Sequence, residues 1–137
     1  MAHIATASAA STGAATFQSR TDIAGTAITT DEPVELGGLG SGPNPYDLLC
    51  AALATCTTMT LRFYAARQGW EIGEVATHVT HRREAGASPA DVFNRTITLA
   101  ASLPADQRTR LLDVAERCPV HKTLSAGAAI HTRGDNA

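Results

Sequence analysis

Two cysteines 62 positions apart, Cys56 and Cys118, are the residues of this chain best suited to chemistry. Cysteine chemistry begins with the thiolate, and a free thiol with a pKa of about 8.5 is only a few per cent ionised at neutral pH. Each sulfur therefore needs a local reason to lose its proton. Cys118 has one, because C-P-V-H-K-T-L places it where one helix stops and a short one starts. Backbone N–H groups of the second helix can aim at that sulfur, and His121 and Lys122 follow within one turn. Cys56 has none nearby. It falls roughly three turns into an apolar helix, beyond the reach of the helix dipole, and burial there raises a thiol. Arg62 and Arg67 share that helix at the wrong spacing to meet Cys56, and Arg20 reaches it only through tertiary folding or from another subunit. On residue types alone, Cys56 is either a redox sulfur served by a distant cation or a small buried hydrophobe. Cys50, six positions earlier, points to another side of the helix and reads as core.

Other chemistry-bearing residues fare worse. The loop D-E-P-V-E-L-G-G-L-G-S-G precedes a helix and suggests a phosphate cradle, yet it lacks the Lys-Ser/Thr pair and the dinucleotide spacing. It reads as a flexible approach to the helix. His78 and His81 lie three apart on an expected strand, so they face opposite ways and make a poor metal pair. No metal site is expected. Three cysteines with no CxxC suggest no structural disulfide framework.

The element that must position Cys56 runs from Gly42 to Trp70. Asn44 is placed to cap a helix, Pro45 suits its first turn, and the Asp47 carboxylate is placed to reach back to the cap. Gly69 suits the left-handed end. Between Asp47 and Arg62 there is no charge, so a helix buried on every face is expected. Residues 1–15 are either a frayed terminus or a weakly marked first strand. Thr16 to Thr30 reads as a hairpin about Gly25. Strands are expected over Glu71 to Arg83 and Val92 to Ser102, the latter with Val92, Ile97 and Leu99 among its strand formers. Pro104 opens a second helix that breaks at Cys118, since Pro119 disfavours helical geometry in the residue before it. V-H-K-T-L-S restarts as a short turn, and G-A-A-I-H-T-R reads as a closing strand. Strands flanking two helices without regular alternation make an α+β domain, one domain over residues 1–137.

Composition bounds the rest. Of the 137 residues 26 are alanine and only 4% are aromatic, so the core is thin and a homo-oligomer is the physical default. A net charge of −2 and a pI near 6.2 leave no electrostatic footprint for nucleic acid or acidic membrane. The uncharged stretch from Leu48 to Leu61 is shorter than the ~20 residues that span a bilayer, and residues 1–15 do not read as a signal peptide. A cytoplasmic protein is expected.

The stretch G-P-N-P-Y-D-L-L-C-A-A-L-A-T-C-T-T-M-T-L-R-F-Y-A, with C-P-V-H-K-T-L placed 62 residues after its second cysteine, resembles the OsmC/Ohr family of osmotically inducible and organic hydroperoxide resistance proteins. The resemblance runs from about Asp31 to Arg133. It implies an α+β fold with an antiparallel sheet packed on a long central helix, in an intertwined homodimer. It implies a thiol-dependent peroxidase acting on organic hydroperoxides, and on hydrogen peroxide more weakly. Cys56 takes the place of the peroxidatic cysteine and Cys118 that of its resolving partner. An external dithiol of the lipoyl type restores the thiols, and no metal, flavin or haem takes part. The wording departs from the best-characterised members at one position. Tyr46 stands where they carry an acid that engages an activating arginine; the acid here, Asp47, comes one later. Arg20, Tyr46 and Asp47 are therefore candidates to activate Cys56 or orient a substrate, with helix capping the other reading of Asp47. Two further functions stay open: a dimer binding a hydrophobic ligand with inert cysteines, and a redox sensor with little turnover.

Overall fold

The computed structural model describes residues 3–136. The chain divides into two compact units, one ending at Leu49 and the other beginning at Cys50.

In the first unit, β1 (Ala7–Ser11), β2 (Ser19–Ile23) and β3 (Thr26–Thr30) form an antiparallel sheet in the order β1-β2-β3. The expected hairpin is β2–β3. Its tight turn holds Ala24 at φ 51° and Gly25 at φ 92°, and Asp22 accepts the Gly25 N–H at 2.8 Å. The N-terminal segment therefore does contribute a strand. The glycine loop that follows wraps one side chain. Asp31 is only 2% exposed. Its carboxylate accepts from the N–H groups of Glu32 (2.8 Å), Leu39 (3.1 Å) and Ser41 (3.2 Å) and from the Ser41 hydroxyl (2.6 Å). The Ser41 hydroxyl leads in holding this carboxyl below its ordinary value, against the opposing effect of burial. The anion that this loop cradles is its own. A Cβ on Gly38 would sit 1.9 Å from the Glu32 carbonyl oxygen, so glycine there serves close packing.

Helix α1 (Pro45–Gln68) starts as a capping box: Asp47 N–H donates to Asn44 Oδ1 at 2.8 Å, and Asn44 N–H donates to Asp47 Oδ2 at 2.9 Å. Gly69, at φ 71°, ends it. Within the single chain its burial is partial. Only Leu53, Thr57, Leu61 and Ala65 are buried, a single stripe at intervals of four, while Met59 and Phe63 on the opposite side are 65% and 64% exposed. One chain of this size supplies cover for one face only. Taken whole, the 24 residues also reach the length and hydropathy of a bilayer span, which the shorter uncharged stretch did not suggest.

In the second unit, β4 (Ala76–Arg83) pairs antiparallel with β5 (Asp91–Thr98), and α2 (Ala105–Ala115) and α3 (Pro119–Ala126) follow. The strands thus form two separate ladders rather than one sheet. Leu61 and Ala65 of α1 pack with Ile72, Val75, Leu99, Leu103, Leu111 and Val114 in the main core. Residues 71–75 supply Ile72 and Val75 to that core without strand geometry, so β4 begins later than its apolar pattern suggests. The restart after Pro119 is a full eight-residue helix rather than a turn. The expected closing strand over 127–133 is absent, and Ile130 is 87% exposed. A strand needs a paired edge, and among the described residues this segment meets none.

Candidate active site: a thiol pair beside Arg95

α1 and the α2–α3 junction bring Cys56 and Cys118 together. Both belong to one apolar cluster with Leu53, Val79 and Phe93, and the two sulfurs are within hydrogen-bonding reach as free thiols. Cys118 is fully buried, whereas Cys56 is half-buried. Pro119 sets the geometry at Cys118, which has φ −61° and ψ 137° and acts as the N-cap of α3. Its sulfur accepts the His121 N–H at 3.4 Å, the cap bond ordinarily made by an oxygen.

The surroundings push the two thiols apart. Burial alone would raise Cys118, but the His121 N–H, the Cys56 thiol, the Thr57 hydroxyl and the Val120 N–H together bring it below the ordinary thiol value. Burial raises Cys56; the Val120 N–H opposes this, and the hydrogen bond and charge of Cys118 add to the rise. The surroundings therefore make Cys118 the easier of the two to ionise and Cys56 the harder.

A guanidinium does approach this site, and it belongs to Arg95 on β5. Its Nη1 donates to Thr57 Oγ1 at 3.0 Å, and its Nη2 donates to His121 Nδ1 at 3.1 Å. Glu116 lies 3.9 Å from Arg95 and 3.3 Å from His121 Nε2. Thr57 Oγ1 in turn stands 2.7 Å from the Leu53 carbonyl oxygen and 3.9 Å from Cys118 Sγ. On their outer side Arg95, His121 and Glu116 line a cleft of about 520 Å³ with Leu53, Phe93 and Leu124. The sequence carried a signal for Arg95. Phe93, Ile97 and Leu99 share the inward face of the segment, and Arg95 is a charge in the middle of that apolar alternation. Counting Val92 among the strand formers obscured that phase.

The other candidates have surroundings of their own. Arg20 is exposed on β2 opposite Thr29, and no ion pair joins it to Asp47. Asp47 is occupied by the capping box. Tyr46 is 44% exposed in the first turn of α1. Arg62 donates to the Gly73 carbonyl, and Arg67 lies over the Phe63 ring. His78 and His81 do face opposite sides, with His81 bonded to Asp91 at 2.9 Å. Among the described residues, no group of three His, Cys, Asp or Glu is placed to hold a metal ion.

Residues 38–133 match the family described as OsmC-like protein. The chain belongs to the OsmC-like family. Among solved structures, the organic hydroperoxide resistance protein OsmC of Legionella pneumophila is similar at 20% identity, covering 89% of each chain with a TM-score of 0.70. An OsmC-like protein of Mycoplasma pneumoniae shares 20% identity over 91% of this chain and 89% of its own, with a TM-score of 0.72. The organic hydroperoxide resistance protein OhrB of Bacillus subtilis shares 23% identity over 88% and 90%, with a TM-score of 0.60. At these identities the likeness speaks to the fold, which is α+β and OsmC-like as the motifs implied. No curated protein matches the chain significantly. OsmC-like enzymes carry their chemistry on thiols without a bound cofactor, so none is assigned here.

Proposed function

We propose that this chain is a thiol-dependent peroxidase that reduces organic hydroperoxides, and hydrogen peroxide more weakly, through Cys56 and Cys118. One observation carries the reading: two free thiols lie in contact, and only Cys56 is open to a peroxide arriving from solvent. The Cys56 sulfur attacks the distal oxygen as its proton passes to the Cys118 thiolate, and the O–O bond breaks. The leaving alkoxide takes that proton and departs as an alcohol. Cys56 is then a sulfenic acid. The restored Cys118 thiolate attacks its sulfur, an S–S bond forms, and the hydroxide lost leaves as water with a proton from solvent. An external dithiol, of the lipoyl type in this reading, reduces the disulfide. The working unit is a cytoplasmic homodimer of a single OsmC-like domain.

Mass spectrometry after one equivalent of cumene hydroperoxide tests this. The expected product is a Cys56–Cys118 disulfide that Cys56→Ser abolishes. Unchanged free thiols would sink the reading and leave a ligand-binding protein. A disulfide that dihydrolipoamide fails to turn over would reduce the chain to a sensor.

A further inference from the structure

Arg95 carries a charge in a place where charge is costly. Its side chain is 11% exposed, and among the described residues the carboxylate that pairs with it is Glu116 at 3.9 Å, itself 64% exposed. A guanidinium so enclosed needs negative charge or acceptors inside the protein. Two acceptors are fixed. Arginine only donates, so Nδ1 of His121 must accept and the ring hydrogen of the neutral tautomer sits on Nε2, facing Glu116 at 3.3 Å. The second acceptor is Thr57 Oγ1. A hydroxyl has one hydrogen, and with Arg95 filling an acceptor site, that hydrogen must choose between the Leu53 carbonyl at 2.7 Å and the Cys118 sulfur at 3.9 Å. The carbonyl, with two lone pairs, holds that hydrogen while the sulfur is neutral, whereas a sulfur bearing negative charge competes for it strongly.

We propose that Arg95 is a positioning residue for the thiol pair: held by His121 and Glu116, it directs the Thr57 hydroxyl hydrogen onto the Cys118 sulfur once that sulfur is charged. The inference rests on the peroxidase reading for its purpose but not for its chemistry. In a chain with Tyr46 in the acid's position, and Asp47 engaged in a helix cap, a fixed cation then acts on Cys118 through the one hydroxyl between them. The carboxylate that fixes this arginine comes from the end of α2, through a histidine, rather than from the start of α1. The groups facing Cys118 are Cys56 and Thr57 from α1 and the Val120 and His121 N–H groups of α3, with Arg95 from β5 one residue behind Thr57 and Glu116 behind His121. Burial sets the Cys118 thiol against ionising, and the donors around it outweigh burial.

The test uses a chain carrying Cys50→Ser and Cys56→Ser, in which Cys118 is the one remaining thiol, and follows the ultraviolet absorbance of the thiolate against pH. Thr57→Val and Arg95→Met are expected to move the Cys118 transition to higher pH, and Thr57→Ser to restore it. In the chain with all its cysteines, Thr57→Val should slow peroxide-driven disulfide formation roughly tenfold at neutral pH, the size of effect expected for one lost hydrogen bond to a charged group, with the deficit closing as pH rises. Should Arg95→Met fail to fold by circular dichroism, Thr57→Val decides the matter, since it keeps the side-chain volume. A folded Thr57→Val chain with an unmoved transition overturns the proposal, as does a shifted one that serine does not restore. If the parent chain forms no disulfide but Thr57→Val and Arg95→Met still move the transition, the peroxidase reading falls and the role of Arg95 stands; an unmoved transition in a folded Arg95→Met chain overturns that role.

Discussion

Two sulfurs in contact inside a protein do not both ionise, and here the surroundings give the charge to the one that solvent does not reach. Cys118 is fully buried and its thiol lies below the ordinary value; Cys56 is half-buried and its thiol lies above it. In the proposed reaction Cys118 therefore acts first as the base for Cys56 and then as the group that attacks it. Cys118→Ser removes both roles, so it should slow sulfenic acid formation at Cys56 and abolish the disulfide, and the rate of dimedone labelling on Cys56 read by mass spectrometry checks this. The pH dependence follows from the direction of the Cys118 shift. Its thiol lies below the ordinary value, so the thiolate is present above that lowered value and is lost as pH falls through it. Stopped-flow oxidation by an organic hydroperoxide should lose its rate, as pH falls, at a lower pH than an ordinary thiol does. A profile that rises only in the alkaline range of a free thiol would contradict the assignment.

At the scale of elements, the residues that punctuate the chain were the most legible. Asn44, Pro45, Asp47 and Gly69 bound α1 where local chemistry says they should, because a cap is made by neighbours in sequence. Replacing Asn44 by Ala removes the acceptor for the Asp47 N–H and should lower stability by about 1 kcal/mol in a urea titration, with the thiol pair intact. Pro104 and Pro119 mark the start of α2 and α3 for the same local reason. What the sequence hid was everything settled by pairing or by tertiary reach. The 127–133 segment has strand-like residues but no edge to pair with among the described residues, and residues 71–75 have the apolar pattern without the ladder. Arg95 belongs to this second class. Its link to Cys118 passes through Thr57, and Thr57 lies 38 positions before Arg95 and 61 before Cys118, so no local spacing records it.

For the molecule as a whole, the unfilled side of α1 is the main consequence. Met59 and Phe63 lie on the face turned away from the Leu53–Ala65 stripe and are more than half exposed. Large apolar side chains exposed together on one helix face favour association. In the proposed homodimer these residues are covered by the second copy. Phe63→Glu should then shift the protein from dimer to monomer by light scattering, with loss of thermal stability, because a carboxylate put into an apolar contact is costly. An unchanged molar mass would place the dimer contact elsewhere.

In the proposed cycle, the complete burial of Cys118 would also dictate how the oxidised protein is recycled. A reductant arriving from outside meets only the Cys56 half of the bond, so it must attach there and expel Cys118. Expulsion is easy in that direction, since the sulfur that leaves is the one its neighbours hold as a thiolate. A monothiol such as glutathione, which cannot finish the job by itself, should be found as a mixed disulfide on Cys56 and never on Cys118 when the oxidised chain is mapped by peptide mass spectrometry.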